Sequence, residues 1–316
     1  MNMSESGRQT TTEHSVETNV ANEANDKQAA NTQPHQKRNL IVIIAIAIAL
    51  IGVSGAGGYY WYVTYQIPHN EAVERFNAAT DGLEERNAEL EKAIKSLRKI
   101  LKSGDKPLDP TRSEQANNAI GEAQSAIEHA PDMPRETDEI NAAAKQIKTM
   151  GNYTAKLDSL SSAKTELEKS IAQFKQVTNP AETFVIGRLI GLENITGVEA
   201  VTEGNDPNGS LNKAGGYTAA VFFSSNLVDQ SQLYLSGQYT PIIDAGCDGG
   251  GAVEVFKTTE DAEKRNEYLA GFDGSILASG SHTVIGTCVV RTSNLMTASQ
   301  QQTQQQAIID SLTRLD

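Results

Sequence analysis

The sequence predicts an α+β head domain, an antiparallel sheet with helices on one face, on an all-α coiled-coil or helical-bundle stalk that one N-terminal transmembrane helix precedes. Three observations indicate this. Residues 39–66 carry no charge, residues 69–178 show helical apolar periodicity, and glycine, β-branched and aromatic residues become frequent after Asn179-Pro180. The predicted domains are a disordered cytoplasmic tail (1–38), a transmembrane helix (39–65), an extracellular stalk (66–180) and an extracellular α+β domain (181–316).

The charge balance argues against a nucleic-acid partner. The chain has 40 acidic and 27 basic side chains, a formal net charge of −13. No basic face is therefore expected to meet phosphates. Gly249-Gly250-Gly251 precedes a predicted strand, whereas a phosphate-binding loop follows a strand and opens a helix. We expect no cofactor.

The uncharged segment is long enough to cross a membrane. About 22 residues at roughly 1.5 Å per residue span about 33 Å. Lys37 and Arg38 precede it, and a cluster of aromatic residues lies at its other end, which predicts a cytoplasmic N-terminus and an extracellular remainder. The cluster consists of Tyr59, Tyr60, Trp61, Tyr62 and Tyr65.

Two further features belong to this segment. Ser54-Gly55-Ala56 is compatible with a signal-peptide cleavage site, which is the alternative interpretation. Gly52 and Ala56 have the small-xxx-small spacing that lets two helices pack closely, so self-association through them or through the stalk is open.

Residues 1–36 are too polar to bury a core, and we expect them to be disordered.

The stalk is predicted from a heptad pattern. Its seam alternates by four and three residues through Phe76, Thr80, Leu83, Asn87, Leu90, Ile94, Leu97 and Leu101. The stretch 104–110, GDKPLDP, breaks this helix, and three further amphipathic helices are expected up to residue 178. Short breaks between amphipathic helices favour an antiparallel bundle or a series of helical hairpins.

The last third is predicted to mix strands and helices. We expect strands over 198–203, 217–225, 252–257 and 282–292, and helices over 184–192, 259–270 and 298–315. Thr258 and Thr297 have N-capping spacing ahead of the last two helices. Because strands do not alternate strictly with helices, an antiparallel sheet is favoured.

The stretch 203–219, EGNDPNGSLNKAGGYTA, resembles a calcium loop in composition. Counting from Asp206, however, glycine falls at the fourth position instead of the sixth, and Tyr217 stands at the twelfth, where a calcium loop has glutamate. Asp206-Pro207-Asn208-Gly209 instead has the residues of a type I turn. We therefore interpret this stretch as a turn and expect no metal site.

Few other residues suggest chemistry. His282 and Cys288, six residues apart on one predicted strand, would stand about 20 Å apart, too far for a catalytic dyad. Cys247 and Cys288 form either a disulfide or two buried thiols. A speculative loop site, the basis for an alternative as a glycan hydrolase, consists of Glu203, Asp206, Asp244 and Asp248.

Two resemblances cover parts of the chain. The stretches GNDPNGSLNKAGGYTAAVFF, CDGGGAVEVFKTTEDAEKRNEYLAGFDG and SGSHTVIGTCVVRTSNLMT resemble a C-terminal module of uncharacterised single-pass surface proteins of Gram-positive bacteria. AIGEAQSAIEHA and NYTAKLDSLSSAKTELEKSI resemble FIVAR-type repeats of Ebh-like surface adhesins. These resemblances imply a surface location and a stalked architecture, and they bring no site residue.

The functional expectation is a membrane-anchored cell-surface protein that binds without catalysis, as an adhesion-like or envelope-associated module. Its expected partners are the membrane and a cell-wall glycan or an extracellular protein. Two alternatives stay open: the wall-facing glycan hydrolase, and a transmembrane sensor that acts through a separate cytoplasmic partner.

Overall fold

A computed structural model of the chain describes residues 56–275, 278 and 280–316. The chain divides into two units at Ile67. The described part of the first unit is helix α1 (Ala56–Trp61) and a π-helical turn (Tyr62–Gln66). Helix α2 (Ile67–Leu101) follows, and residues from Pro68 to Asp316 form the second unit.

The prediction of a transmembrane helix is not supported. Within residues 56–275, 278 and 280–316, no helix is both long and apolar enough to cross a membrane. Helix α2 carries charged side chains from Glu71, in its second turn, onward. The fold-class prediction is therefore wrong in this element. Residues 1–55 of the predicted tail and transmembrane segment, with Gly52, lie outside the described residues.

The second unit begins with four helices that pack on one another. They are α2, α3 (Thr111–Ser125), α4 (Thr137–Thr149) and α5 (Thr154–Gln176). The N-terminal half of α2 packs on α4, where Phe76 and Leu83 meet Ile140 and Ile147. Its C-terminal half packs on α3 and α5 through the cluster that contains Leu90 and Ile94, together with Leu97, Ala116, Ile120, Leu160 and Leu167.

The predicted heptad seam of α2 is confirmed by burial. Its apolar members from Phe76 to Leu97 are buried, and Asn87 lies among them as a polar insertion. Asn87 is paired on both ends of its amide: Nδ2 donates to the carbonyl of Glu128 at 2.9 Å, and Oδ1 accepts from the Tyr153 hydroxyl at 2.6 Å. The amide thereby fixes the register of α2 against the chain that links the shorter helices.

The remainder of the unit surrounds a five-stranded antiparallel sheet with the order β1-β2-β3-β5-β4. The strands are β1 (Ile195–Ala200), β2 (Ala219–Ser225), β3 (Gly250–Val255), β4 (His282–Ile285) and β5 (Cys288–Thr292). The helices are α6 (Glu182–Leu189), α7 (Pro241–Ala245), α8 (Thr259–Ala270) and α9 (Ala298–Thr313), with 3₁₀ turns at Gln230–Gln232 and Gly246–Gly249.

Helices cover both faces of the sheet, so the prediction of helices on one face is wrong. On the first face, Phe223 and Val290 pack with α6 and α9 through residues such as Leu189 and Ile308. On the second face, Phe222 and Val289 pack with α7 and α8 through Ile243, Ala262 and Leu269. The physical reason is that β3 and β5 are buried along their whole length and β2 along nearly all of it. Strands buried on both sides lose the polar alternation of a half-exposed sheet.

The predicted long strand over 282–292 is a hairpin. Strands β4 and β5 pair with Ile285 opposite Cys288, and Gly286 between them has φ +62°. A glycine is needed here because a Cβ on Gly286 would stand 2.4 Å from Cγ2 and 2.5 Å from the carbonyl oxygen of Val177. The tip of the hairpin thus lies against the segment that follows α5.

The end of α5 is tied to the sheet by direct bonds. The Val177 carbonyl accepts the backbone N–H of Thr287 at 3.0 Å, and Gln176 Nε2 donates to the carbonyls of Leu312 and Arg314 at 2.7 and 2.9 Å. Helices and sheet therefore meet at a bonded junction inside the unit that runs from Pro68 to Asp316. A domain boundary at residue 180 stays a prediction.

We expect Gly286→Ala to lower the free energy of unfolding by about 2–4 kcal/mol, because the new methyl adds left-handed strain to a clash with Val177. Gly187→Ala is the matched control: Gly187 lies within α6, and a Cβ there meets nothing within 4 Å. That change should stabilise by about 0.5–1 kcal/mol. Urea unfolding of both variants measures the difference, and equal effects would contradict the tight junction.

Candidate functional site

The loop that joins β1 to β2 is organised around the carboxylate of Asp206. Its Oδ1 accepts the backbone N–H of Asn208 at 3.1 Å and the hydroxyl of Tyr217, and its Oδ2 accepts the N–H of Leu211 at 2.7 Å. Gly209 N–H donates to the Asp206 carbonyl at 3.3 Å, which closes the predicted turn. The carboxylate is thus occupied by donors of its own loop.

These donors favour the charged form of Asp206. Partial burial opposes ionisation, but the hydrogen bonds from Tyr217, Leu211 and Asn208 outweigh it and hold the pKa of Asp206 below its usual range. The contact between Asp206 and Tyr217 shifts the pKa of Tyr217 in the opposite direction. Burial, and then the hydrogen bond to Asp206, raise the pKa of the Tyr217 phenol. Tyr217 is therefore a neutral donor, and Asp206 a fixed negative charge.

Gly216 explains why the loop is glycine-rich near its end. A Cβ at this position would stand 2.0 Å from the backbone oxygen of Ser210, so no other residue fits without moving the chain. The backbone of Gly216 also donates to the Lys213 carbonyl at 3.0 Å. The stretch 203–219 is therefore long because it folds back on itself beside Tyr217.

The four acids of the predicted loop site do not converge. Glu203 and Asp206 lie on the β1–β2 loop, at the end of the sheet where Ala219 pairs with Val255. Asp244 and Asp248 lie on the β2–β3 connection, Asp244 in α7 over the second face and Asp248 at the end of the sheet where Ser224 pairs with Gly250. The length of β2, roughly 20 Å, separates Asp248 from the β1–β2 loop. Asp244 is also occupied, because it accepts from Ser236 Oγ at 2.5 Å and from Gly237 N–H at 2.6 Å.

The two cysteines are free, so the possible disulfide is not formed. Cys288 packs on the first face of the sheet and Cys247 on the second, so the sheet lies between the two thiols. Burial raises the pKa of the Cys247 thiol to about 11 and that of Cys288 to about 12. Both thiols are thereby kept neutral and unreactive near pH 7.

His282 and Cys288 do not form a dyad, although the reason differs from the predicted one. The hairpin brings their strands side by side, but His282 pairs with Arg291 and Cys288 with Ile285, positions on opposite faces. His282 instead contacts Asn266 Oδ1 at 2.7 Å and Asp273 Oδ1 at 3.3 Å. It ties the edge strand β4 to α8 and the turn after it.

A buried ion-pair cluster was missed by sequence reasoning. Glu254 on β3 has no exposed surface. Its carboxylate accepts from Arg265 on α8 at 2.7 and 2.9 Å and from Arg291 on β5 at 2.6 Å. Burial by itself would raise the pKa of Glu254, but the two guanidinium groups outweigh it and lower the pKa. The only sequence signal was a single acidic residue in an otherwise apolar strand, GGAVEV.

The described structure holds a cleft of about 400 Å³ between the β1–β2 loop and α8. Tyr217 and Phe256 come from the sheet end, and their rings meet edge to face with centroids 6.5 Å apart. The remaining lining residues are Asn208, Ser210, Gly215 and Gly216 from the loop and Asp261, Lys264, Arg265 and Tyr268 from α8. Both walls are thus held by the two carboxylate clusters, Asp206 on one side and Glu254 on the other.

The cleft presents mixed polar chemistry and one exposed ring. Arg265 uses Nε and Nη2 for Glu254, and Nη1 takes no part in that pair. Tyr268 is 60% exposed, with the Arg265 guanidinium carbon 5.6 Å from its ring centre. The cleft therefore offers donors, acceptors and an aromatic surface to a ligand.

No metal centre accompanies the cleft. Among the described residues, no three or more His, Cys, Asp or Glu side chains are placed to hold a metal ion.

Comparisons with protein-family models, curated proteins and solved structures find no match for the chain.

We expect Asp206→Asn to lower the free energy of unfolding at pH 7 by about 1–3 kcal/mol, because the amide is a weaker acceptor for the donors around it. Since the folded pKa of Asp206 is lowered, its contribution is complete above the unfolded pKa of about 4 and is lost as pH falls through the folded pKa. The variant and the wild type should therefore converge at acidic pH. Glu203→Gln, at an exposed acid of the same loop, is the control, and urea unfolding across pH is the measurement.

We expect Glu254→Gln to destabilise the fold by about 3–5 kcal/mol, because it leaves two guanidinium groups around a neutral side chain. Glu260→Gln is the matched control on α8. Its exposed partner Lys264 lies 2.7 Å away, and the loss should stay within about 0.5 kcal/mol. Chemical denaturation of the full chain compares them, and similar midpoints would argue against the buried cluster as a structural tie.

Proposed function

We propose that this protein is a non-catalytic glycan-binding module and that the cleft between the β1–β2 loop and α8 is its binding site. The observation that carries the proposal is the lining of the cleft. Asp261 supplies acceptors, Lys264 and Arg265 supply donors, and Asn208 supplies both. Sugar hydroxyls both donate and accept, so a lining of both kinds complements them.

The aromatic residue supports the same ligand class. Tyr268 is exposed at the cleft and is backed by Phe272, whose ring lies edge to face at 5.1 Å between centroids. An exposed, braced ring gives the apolar face of a sugar a flat surface to contact at little entropic cost. Because Glu260 pairs with Lys264 and Glu254 with Arg265, both cations of the cleft are already balanced, and a neutral glycan fits better than a strongly acidic one.

The positions of the loop acids support binding without hydrolysis. Glycosidases use two carboxyl groups about 5–10 Å apart across the scissile bond. Of the four acids considered from the sequence, Asp206 accepts three hydrogen bonds from its own loop, and Asp248 lies at the opposite end of β2.

A cell-wall glycan at the cell surface is the ligand that the sequence resemblances favour. The stretches that resemble Gram-positive surface proteins include the β1–β2 loop and α8, the two walls of the cleft. The helices α2 to α5 then act as a spacer for the binding head, and α2, with 35 residues, is about 50 Å long.

Co-sedimentation of the full chain with purified, protein-free Gram-positive wall sacculi tests the proposal. We expect wild-type protein to sediment and Tyr268→Ala to bind about tenfold more weakly, the usual effect of removing a central aromatic contact. Tyr234→Ala is the matched control, since Tyr234 is 88% exposed and lies outside the cleft.

Two results would overturn the proposal. One is a wild-type protein that stays in the supernatant at all sacculus concentrations, and the other is equal loss of binding in both tyrosine variants. Release of soluble sugar by wild-type protein would favour the hydrolase instead. Thermal unfolding of each variant separates loss of binding from loss of folding.

A further inference from the structure

A second, smaller cavity lies on the other face of the sheet, at the N-terminal half of α9. Its volume is about 220 Å³, the space of roughly seven water molecules. Glu193 and Asn194 from the α6–β1 link and Leu227 from the turn after β2 form one side. The residues from α9 are Ser299, Gln300, Thr303, Gln304 and Ala307.

Gln304 is the unexplained residue of this cavity. It stands one turn before Ile308 and two turns before Leu312, and both of these residues are buried in the core of the first face. At this position on the helix an apolar residue is expected. Gln304 is only 3% exposed, and its Nε2 has no hydrogen-bond partner among the described residues. A buried amide without a partner is costly and calls for an explanation.

The neighbouring amide is not available to satisfy it. Gln300, one turn earlier, is engaged in the capping box of α9: its Oε1 accepts from the backbone N–H of Thr297 at 2.9 Å, and its own N–H donates to Thr297 Oγ1 at 3.4 Å. The helix N-terminus is therefore closed by its own cap, and the unmet hydrogen-bonding capacity of the cavity lies at Gln304.

The lining of the cavity defines the group that would complete it. Gln304 Nε2 is a donor without an acceptor, so the group that completes the cavity carries a carbonyl oxygen. Leu227 and Ala307 supply apolar contacts of the size of a methyl group, and Thr303 and Ser299 supply hydroxyls near the opening. A methyl-bearing amide on a hydroxylated carrier matches these three features.

We propose that this cavity binds an acetamido group carried by a sugar, with the amide against Gln304 and the methyl group against Leu227 and Ala307. The site is separate from the cleft, since α9 packs on the first face of the sheet and the cleft is built from the second. It stands whether or not the cleft binds glycan.

Saturation-transfer NMR of the full chain with N-acetyl-D-glucosamine, and with D-glucose as the probe that lacks the acetamido group, tests the inference. We expect saturation of the acetyl methyl protons and none of comparable size for glucose. Gln304→Leu should weaken binding at least tenfold and preserve folding, because it removes the unpaired amide. Ala307→Leu, which fills the cavity, should do the same. Gln302→Leu, at an exposed glutamine of the same helix, is the matched control.

Three outcomes would overturn the inference. They are equal saturation of both sugars, unchanged acetyl saturation in Gln304→Leu and Ala307→Leu, and absence of saturation in the wild type, which would leave a bridging water as the partner of Gln304. Binding of N-acetylalanine N-methylamide as tight as that of the amino sugar would reassign the cavity to a peptide.

Discussion

The contact on which the sheet and its helices depend is the carboxylate of Glu254 between two arginines. It joins β3 to β5 through Arg291 and to α8 through Arg265, so one buried charge links two layers of the structure. Removing a carboxylate from water costs several kcal/mol, and only well-aligned partners recover it. The cluster therefore contributes more to the position of α8 than to the stability of the fold. Since α8 forms one wall of the cleft, the cluster also positions that wall.

The second wall follows the same principle on a smaller scale. Asp206 accepts hydrogen bonds from Asn208, Leu211 and Tyr217, and the loop folds around this charge. A cleft between two elements that are each fixed by a carboxylate is preorganised, which reduces the entropy that a ligand must lose on binding. The sheet sets only the distance between the β1–β2 loop and α8.

Local features were predictable from the sequence because their partners are near in the chain. The caps of Thr258 and Thr297, the turn at Asp206 and the seam of α2 all depend on residues within a few positions of one another, and the structure has each of them. The features that the sequence did not reveal depend on distant partners. Glu254 and Arg291 are 37 residues apart, and coverage of both sheet faces depends on where α6, α7, α8 and α9 return. The cleft lies between two such elements, so its existence required the fold, and Gln304 was hidden in a run of glutamines.

The junction at Val177 has a mechanical consequence. The chain leaves α5 and meets the β4–β5 turn through the carbonyl of Val177, while Gln173 and Gln176 hold the end of α9. A tension applied along α5 therefore reaches the sheet through two attachments at once, the hairpin tip and the last turn of α9, which packs on the first face. Shared loading of this kind resists peeling of a single strand, so a sheet pulled through α5 would hold until both attachments give way together.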